Sequence, residues 1–477
     1  MPRTKIVCTI GPASNSPGVM RGLIRAGMNV ARINFSHGDH ASQAQSITTL
    51  RQVAEEEGRL VAIMADLQGP KLRVGEIEGG ALELREGDVV TLTSRPGGGV
   101  GDAIAIPVPH PELLRELRAG QTVLLDDGQL ALAVLQPGED DLRCRVVTGG
   151  RLSSHKGINV PGTPLHFPAL TSKDRDDAEF ALQQGVDFFA LSFVRRADDV
   201  RELRQFLKRE GADVAIVAKI EKPEALSVFD AILAEADGIM VARGDLGVET
   251  PAEEVPFHQK RIIRACNRAG KPVITATQML QTMIDNPRPT RAEASDVVNA
   301  ILDGTDAVML SGETAVGRYP VVATETMAVI CANAEAHLPQ GRLLYDESHF
   351  HETITEAISC AAVEIAREVE AKAIVTATMS GTTARMVARH RPSVPVVAVT
   401  PNRVTLFRLA LAWGVVPVQI AEFRTTDDMV ETMVRVARER GLAAWGDPVV
   451  LTAGIPFGNS QKTNMLKVHV IGEMAET

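Results

Sequence analysis

Val214-Ala-Ile-Val-Ala-Lys-Ile-Glu221 sets five small or branched apolar residues ahead of an ammonium and a carboxylate. A run of that composition suits a strand buried on both faces of a parallel sheet. Lys219 and Glu221 stand two apart, so on a strand they point to the same face. An isolated Lys-x-Glu would read as a solvated ion pair at a strand end. Here seven other strand-like segments end in a similar way, and the stretch takes its meaning from them.

Three of those segments, Ile6–Ile10, Met28–Ile33 and Leu60–Ala65, alternate with helical patterns that stop at Gly27 and Gly58. Short strand–helix units of this kind predict parallel α/β architecture. From Val74 to Pro164 the text changes to short alternating strands broken by turn residues, the pattern of a small β-barrel or sandwich. Gly97 to Gly101 reads as a surface turn, because neither a helix nor a Lys-Ser/Thr pair follows it. Thr171-Ser-Lys-Asp174 and Thr290-Arg-Ala-Glu293 are capping boxes that open helices. Between and after them the strands resume at Val186–Phe193, Val214–Lys219, Gly238–Ala242, Pro272–Ala276 and Asp306–Leu310. Three strands and five make eight, the number of a (β/α)8 TIM barrel, whose site lies at the carboxyl ends of the strands. An open doubly wound sheet is the rival arrangement. Beyond the linker-like Leu338-Pro-Gln-Gly-Arg342, a helix over 352–369 and strands near Ala373, Val396, Val415, Val449 and Val468 predict a second, open α/β domain. The expected division is a barrel over 1–69 and 168–338, an inserted β domain over 70–167, and a C-terminal domain over 339–477.

Composition narrows the function classes. The 477 residues carry a formal charge of −10, which disfavours nucleic acid or an anionic membrane as the main partner. Cys8, Cys144, Cys266, Cys331 and Cys360 are odd in number and scattered, so they read as reduced core thiols. The chain enters a strand almost at once, with no signal peptide and no apolar run long enough to span a bilayer. A cytoplasmic location is the expectation.

The strand ends carry the chemistry. The second offers Arg32, Asn34 and Ser36 on one face, and the third Asp66. The fifth gives Lys219 and Glu221, the sixth Arg243 and Asp245, the seventh Thr277, and the eighth Ser311 and Glu313. So many charges at a barrel mouth imply ligands, because an unpaired buried charge is very costly. Glu221 and Asp245 suit a hard cation such as Mg²⁺ (or Mn²⁺), which takes one or two carboxylates and completes its sphere with water and substrate oxygens. Arg32, Arg73 and Lys219 suit a phosphate or carboxylate. The bland alternatives are an ion pair between Arg243 and Glu313 and a capped loop role for His37. Together the residues predict a metal-assisted reaction on a small phosphorylated or carboxylated substrate.

Six longer stretches carry a resemblance. Val30-Ala-Arg-Ile-Asn-Phe-Ser-His-Gly38, Val217-Ala-Lys-Ile-Glu221, Gly238-Ile-Met-Val-Ala-Arg-Gly-Asp-Leu-Gly-Val-Glu249, Ala276-Thr-Gln-Met-Leu280, Pro287-Arg-Pro-Thr-Arg-Ala-Glu293 and Met309-Leu-Ser-Gly-Glu-Thr-Ala315 closely resemble the pyruvate kinases. The resemblance covers nearly the whole chain and implies phosphoryl transfer from phosphoenolpyruvate to ADP, giving pyruvate and ATP, the final step of glycolysis. It implies that Glu221 and Asp245 hold the divalent metal and that Lys219 stabilises charge on the phosphoryl group and nascent enolate. A preorganised contact of that kind is worth about 2.7–4 kcal/mol of barrier. Arg32 and Arg73 would clamp phosphate oxygens, with His37 beside them on the nucleotide side. The turn Ala242, Arg243, Gly244 and Asp245 would receive the substrate carboxylate, Thr277 would lie near the protonated carbon, and Ser311 would complete the substrate pocket. The inserted domain would close as a lid, and the assembly would be a homotetramer. The rivals are a barrel lyase or aldolase acting on a metal-bound enolate and a non-catalytic regulatory protein.

Two places mark this sequence within the resemblance. Many pyruvate kinases require K⁺ at residues matching Asn34, Ser36, Asp66 and the carbonyl of Leu67, and typically read Asp-Thr-Lys-Gly-Pro-Glu there. This chain reads Asp66-Leu-Gln-Gly-Pro-Lys71, a change of two charge units. Unit charges about 4 Å apart interact by roughly 4 kcal/mol at an effective dielectric near 20, enough for a tethered ammonium to replace an exchanging ion. Leu67, Gln68, Lys71 and Val74 thus resemble the K⁺-independent branch, with Lys71 as the surrogate cation and K⁺ not required. In the C-terminal domain, Thr376-Ala-Thr-Met-Ser-Gly-Thr-Thr-Ala384 joins a strand to a helix. The family places a sugar-phosphate effector at this type of loop, so Thr378, Ser380, Gly381, Thr382 and Thr383 are expected to bind a phosphate, such as that of a sugar phosphate or AMP. Met379 stands where a lysine or other polar residue is common, and a capped helix that binds nothing is the alternative.

Overall fold

A computed structural model describes residues 2–95, 104–163, 167–338, 353–456 and 462–472. Eight strands, β1 (Lys5–Ile10), β2 (Met28–Asn34), β3 (Ala62–Asp66), β4 (Phe188–Leu191), β5 (Ala215–Ile220), β6 (Gly238–Ala242), β7 (Val273–Ala276) and β8 (Ala307–Leu310), close into one barrel. Every neighbouring pair is parallel, and β1 pairs with both β2 and β8 to complete the ring. Closure settles the choice between barrel and open sheet.

Period-two alternation along the strands decides which side chains reach the mouth. Val7, Val30, Met64, Ala190, Val217, Met240, Ile274 and Met309 pack together inside the barrel. Their neighbours Cys8, Ala31, Ile63, Leu191, Ala218, Ile239, Val273 and Leu310 belong instead to the larger cluster that also includes residues of the surrounding helices. Two residues beyond each inward residue, the same face meets Arg32, Asp66, Ser192, Lys219 and Ser311. Phe407, Ala410 and Leu411 of the C-terminal domain join the interior cluster and plug the barrel.

Local signals set the helices between strands. Asp39, Thr171 and Thr290 form capping boxes at the starts of helices His40–Glu56, Ser172–Gln183 and Arg291–Leu302. Gly27 takes φ 121° after helix Pro17–Ala26, a conformation that favours glycine, and ends it.

After β3 the chain leaves the barrel for a six-stranded sheet and a separate two-stranded ladder. Both feed one apolar cluster that includes Val74, Leu84, Leu92, Ile106, Leu132 and Leu152. The short strands expected over this stretch are present, and the helix Pro111–Glu116 is an element the alternating pattern does not show. The C-terminal domain is an open five-stranded sheet, parallel except for Met465–Val470, which pairs antiparallel to Pro448–Ala453. The expected turn at Gly97–Gly101 and the linker positions 339–342 lie outside the described residues. All five cysteines are buried free thiols. No helix among the described residues is long and apolar enough to cross a membrane.

Candidate functional site

Lys219 leaves β5 into a buried mouth of opposite charge. Its ammonium donates to Ser192 Oγ at 2.7 Å and lies 2.9 Å from Glu221 Oε1 and 3.3 Å from Asp66 Oδ1. Burial alone would lower its pKa, but the Asp66 and Glu221 carboxylates outweigh that and hold it charged, well above the ordinary lysine value. Asp66 also accepts from Arg32 Nε at 2.6 Å. Burial pushes its carboxyl up, yet Arg32 and Lys219 bring it below the ordinary value. Arg32 is steadied further by Thr9 Oγ1, 3.0 Å from Nη1.

Glu221 is buried and accepts the Phe193 amide at Oε2, 2.7 Å away. Its pKa is raised, first by burial and then by the Asp245 carboxylate, with Lys219 opposing. A buried carboxylate that feels a second carboxylate nearby suits a cation. Among the described residues no group of three or more His, Cys, Asp or Glu side chains gathers to hold a metal. Two carboxylates could hold a hard divalent ion only if it draws its other ligands from water and substrate.

The far rim is built from β6, β7 and β8. Thr277 sits at φ 69° and Gln278 at φ 55°, consecutive non-glycine residues in the left-handed region. Such strain costs of order 1–3 kcal/mol per residue and tends to be kept at functional sites. Thr277 Oγ1 accepts the Gly244 amide at 2.8 Å and donates to Ala276 O at 2.6 Å. The turn at Ala242 does open a helix, Arg243–Glu249, with the Gly244 amide engaged by Thr277. Ser311 Oγ is buried without a hydrogen-bond partner, a polar atom left for a ligand.

The ion pair raised as the bland alternative for Arg243 and Glu313 does not form. Arg243 bridges to Asp296 at 2.7 Å and donates to the Thr277 carbonyl at 2.9 Å, so it braces the strained turn from below. Glu313 is fully buried and accepts the amides of Leu280 at 3.0 Å and Ser311 at 2.8 Å. Its two oxygens serve the backbone, while Arg243 is committed to Asp296 and the Thr277 carbonyl.

Asn34, Ser36 and Leu67 gather near Asp66, though not as one ligand set. Asn34 Oδ1 caps the Ser36 amide at 3.1 Å, and the Leu67 carbonyl accepts from Ser192 Oγ at 2.8 Å. Lys71 is half-buried beside them in sequence but does not form an ion pair with Asp66, whose partners are Arg32 and Lys219. It lines a cleft with Asp127, Asn159, Phe193, Lys222 and Asp245. The His37 imidazole is held below its ordinary pKa by burial and by Arg73, Lys71 and Arg32, which brings these cations into one electrostatic neighbourhood. Arg73 Nη1 donates to the His155 carbonyl of the inserted domain at 2.9 Å.

At the C-terminal loop the hydroxyls are engaged locally. Thr378 Oγ1 accepts the Gly381 amide at 2.9 Å, Ser380 and Thr382 hydroxyls meet at 3.0 Å, and Thr383 meets Thr463 at 2.8 Å. Met379 contributes its carbonyl to Thr405.

Sequence reading missed Ser192, Phe193 and Thr9. Ser192 was within reach, since it stands two beyond the inward Ala190 and the same alternation found Lys219. Phe193 was not, because its contribution is a backbone amide aimed by φ 54°.

The chain matches the family described as "Pyruvate kinase, barrel domain" over residues 1–324 and "Pyruvate kinase, alpha/beta domain" over residues 356–469. A pyruvate kinase of Geobacillus stearothermophilus is 49% identical, the match covering 99% of this chain and 81% of that protein. One of Sporosarcina psychrophila is 46% identical with the same coverage. The crystal structure of a pyruvate kinase from Cryptosporidium parvum superposes with a TM-score of 0.92 at 39% identity, covering 98% of this chain and 96% of that one. The chain belongs to the pyruvate kinase family.

Proposed function

We propose that the barrel mouth transfers the phosphoryl group of phosphoenolpyruvate to ADP. The observation that carries this reading is the Lys219 ammonium, buried and held charged between Asp66 and Glu221 with Arg32 alongside. A terminal ADP oxygen attacks phosphorus, the bond from phosphorus to the enol oxygen breaks, and the enolate takes a proton at carbon to give pyruvate. Phosphoryl transfer asks the protein for positioning and charge neutralisation more than covalent help.

Each side chain then has a task. Glu221 and Asp245 would hold the divalent cation, Mg²⁺ in this reading, which when bound supplies charge neutralisation to the substrate oxygens. Lys219 faces the phosphoryl group and the enolate oxygen. Arg32 and Arg73 grip phosphate oxygens, and His37, its pKa lowered by burial and then by its cationic neighbours, lies on the nucleotide side. The Ala242–Asp245 turn and the partnerless Ser311 hydroxyl receive the substrate, with Arg243 as its brace. The Thr277 hydroxyl orients proton delivery to the enolate. The inserted domain, taken as 70–167 between barrel segments 1–69 and 168–338, closes over the site and excludes water. A lactate-dehydrogenase-coupled assay with phosphoenolpyruvate and ADP tests the reading. It predicts ADP-dependent pyruvate formation, and the absence of that formation overturns it in favour of a lyase, an aldolase or a non-catalytic role.

The finer points rest on sequence differences. Leu67, Gln68, Lys71 and Val74 favour K⁺ independence, with the Lys71 charge standing in for the ion. Its influence on His37 supports that neighbourhood. Activity at saturating Mg²⁺ in K⁺-free buffer is predicted to be nearly complete, and strong activation on adding KCl contradicts the assignment. The loop Thr378–Thr383 of the 339–477 domain is the proposed seat of a sugar-phosphate or AMP effector. Calorimetric titration with fructose bisphosphate, ribose phosphate and AMP tests it, and silence from all three removes it. A cytoplasmic homotetramer is the proposed working form.

A further inference from the structure

The lid and the metal carboxylates meet at a residue that the reaction itself does not touch. Glu249, at the end of the helix that begins beside Asp245, is buried. Its Oε1 accepts from Asn159 Nδ2 of the inserted domain at 2.7 Å and also pairs with Lys222, the residue after Glu221. Asn159 lies on the short strand Ile158–Asn159, which is hydrogen-bonded to Thr122–Leu125 within the inserted sheet. Lys222 in turn sits over the ring of Phe193, 5.9 Å from its centroid. Phe193 is the strained residue whose amide holds Glu221 Oε2. A contiguous chain of contacts therefore runs from Asn159 through Glu249, Lys222 and Phe193 to Glu221.

We propose that Glu249 is a positioning residue, a latch that takes the lid through Asn159 and passes the closed state to Glu221 through Lys222 and Phe193. This rests on the phosphoryl-transfer reading above. Held from both sides, Glu249 is fully satisfied only when the lid is down, and its pull on Lys222 keeps the cation over the Phe193 ring. Closing the lid and setting a metal carboxylate are thus one event.

Asn159→Asp puts a carboxylate against the Glu249 carboxylate with almost no change of shape. The expected result is a KM for phosphoenolpyruvate raised about tenfold or more, as a lost hydrogen bond to a buried charge implies. The half-saturating Mn²⁺ concentration rises in parallel, and the melting temperature stays at the wild-type value. Adding Glu249→Gln gives the introduced carboxylate an amide donor and leaves one negative charge, now on residue 159, beside Lys222, which contacts the same Glu249 oxygen as Asn159; it restores KM to within a few-fold of wild type, which a merely structural Glu249 would not do. Hydrogen exchange of residues 153–163 in the ligand-free enzyme gives a readout independent of activity: faster in N159D, and restored in N159D/E249Q. Unchanged exchange and unchanged KM in N159D, or a double variant no better than the single, overturns the latch. If wild-type enzyme makes no pyruvate, the phosphoryl-transfer reading fails, and the exchange result still decides whether Asn159 and Glu249 fasten the lid.

Discussion

Ser192→Ala removes one atom from the centre of the site. In the native protein, Ser192 Oγ accepts from Lys219 Nζ at 2.7 Å and donates to the Leu67 carbonyl at 2.8 Å. After the substitution the ammonium keeps Glu221 and Asp66 but loses its only neutral anchor among these three contacts, and is drawn toward the carboxylates and away from the mouth. A hydrogen bond to a charged group contributes about 1.5–3 kcal/mol. If that loss falls on the transition state, kcat drops about tenfold to a hundredfold at roughly 1.36 kcal/mol per decade. The coupled assay at saturating phosphoenolpyruvate, ADP and Mg²⁺ reads this directly. Ser192→Thr keeps the hydroxyl and should keep most of the rate. A Ser192→Ala enzyme within threefold of wild type would refute the idea that Lys219 must be aimed as well as charged.

Two further outcomes follow from the charges. The His37 imidazole titrates below its ordinary value in the folded protein, while the unfolded chain takes the ordinary one. The unfolded state therefore gains the proton first on acidification, so His37 favours the unfolded chain as pH falls through the unfolded pKa and levels off below the folded one. An NMR titration should place the His37 midpoint under 6.5, and Lys71→Met should move it upward; a midpoint indifferent to Lys71 would separate the two residues. Arg391 and Asp306 form a buried pair at 3.1 Å that ties the C-terminal domain to the base of the barrel. Burial raises the Asp306 carboxyl despite Arg391. Arg391→Met leaves that carboxylate uncompensated, at a cost of about 3–5 kcal/mol, visible as a lower thermal midpoint at neutral pH; an unchanged midpoint would mean the pair contributes no net stability.

The barrel was legible because its strands announce themselves twice, by apolar runs and by the charges that end them. Alternation then put Lys219 with Glu221 and Arg32 with Asn34 and Ser36 on shared faces, and Asp66 at the end of the third strand, before any contact was known. The C-terminal sheet was equally plain in its valine-rich strands. The inserted domain was harder. Several of its strands have only two to four residues, and its order depends on pairings between strands distant in sequence, such as Gly150–Ser153 with Ala81–Leu84. At the site, the missing partners were those that act through backbone or through another domain. Phe193 works by its amide, Glu313 spends both oxygens on amides, and Glu249 meets Asn159 from ninety residues earlier in the chain. Spacing along a strand carries no trace of such contacts. Lys71 shows the opposite limit: its charge change was plain in the sequence, but its side chain lines the cleft and does not pair with Asp66.

The central claim is that Lys219 neutralises charge that develops during transfer. Lys219→Met keeps the bulk of the stem and deletes the ammonium. The coupled assay should show kcat falling about a hundredfold to a thousandfold, the equivalent of roughly 2.7–4 kcal/mol, with KM for phosphoenolpyruvate changed only a few-fold. A Lys219→Met enzyme that retains kcat, or that loses only affinity, would contradict the account.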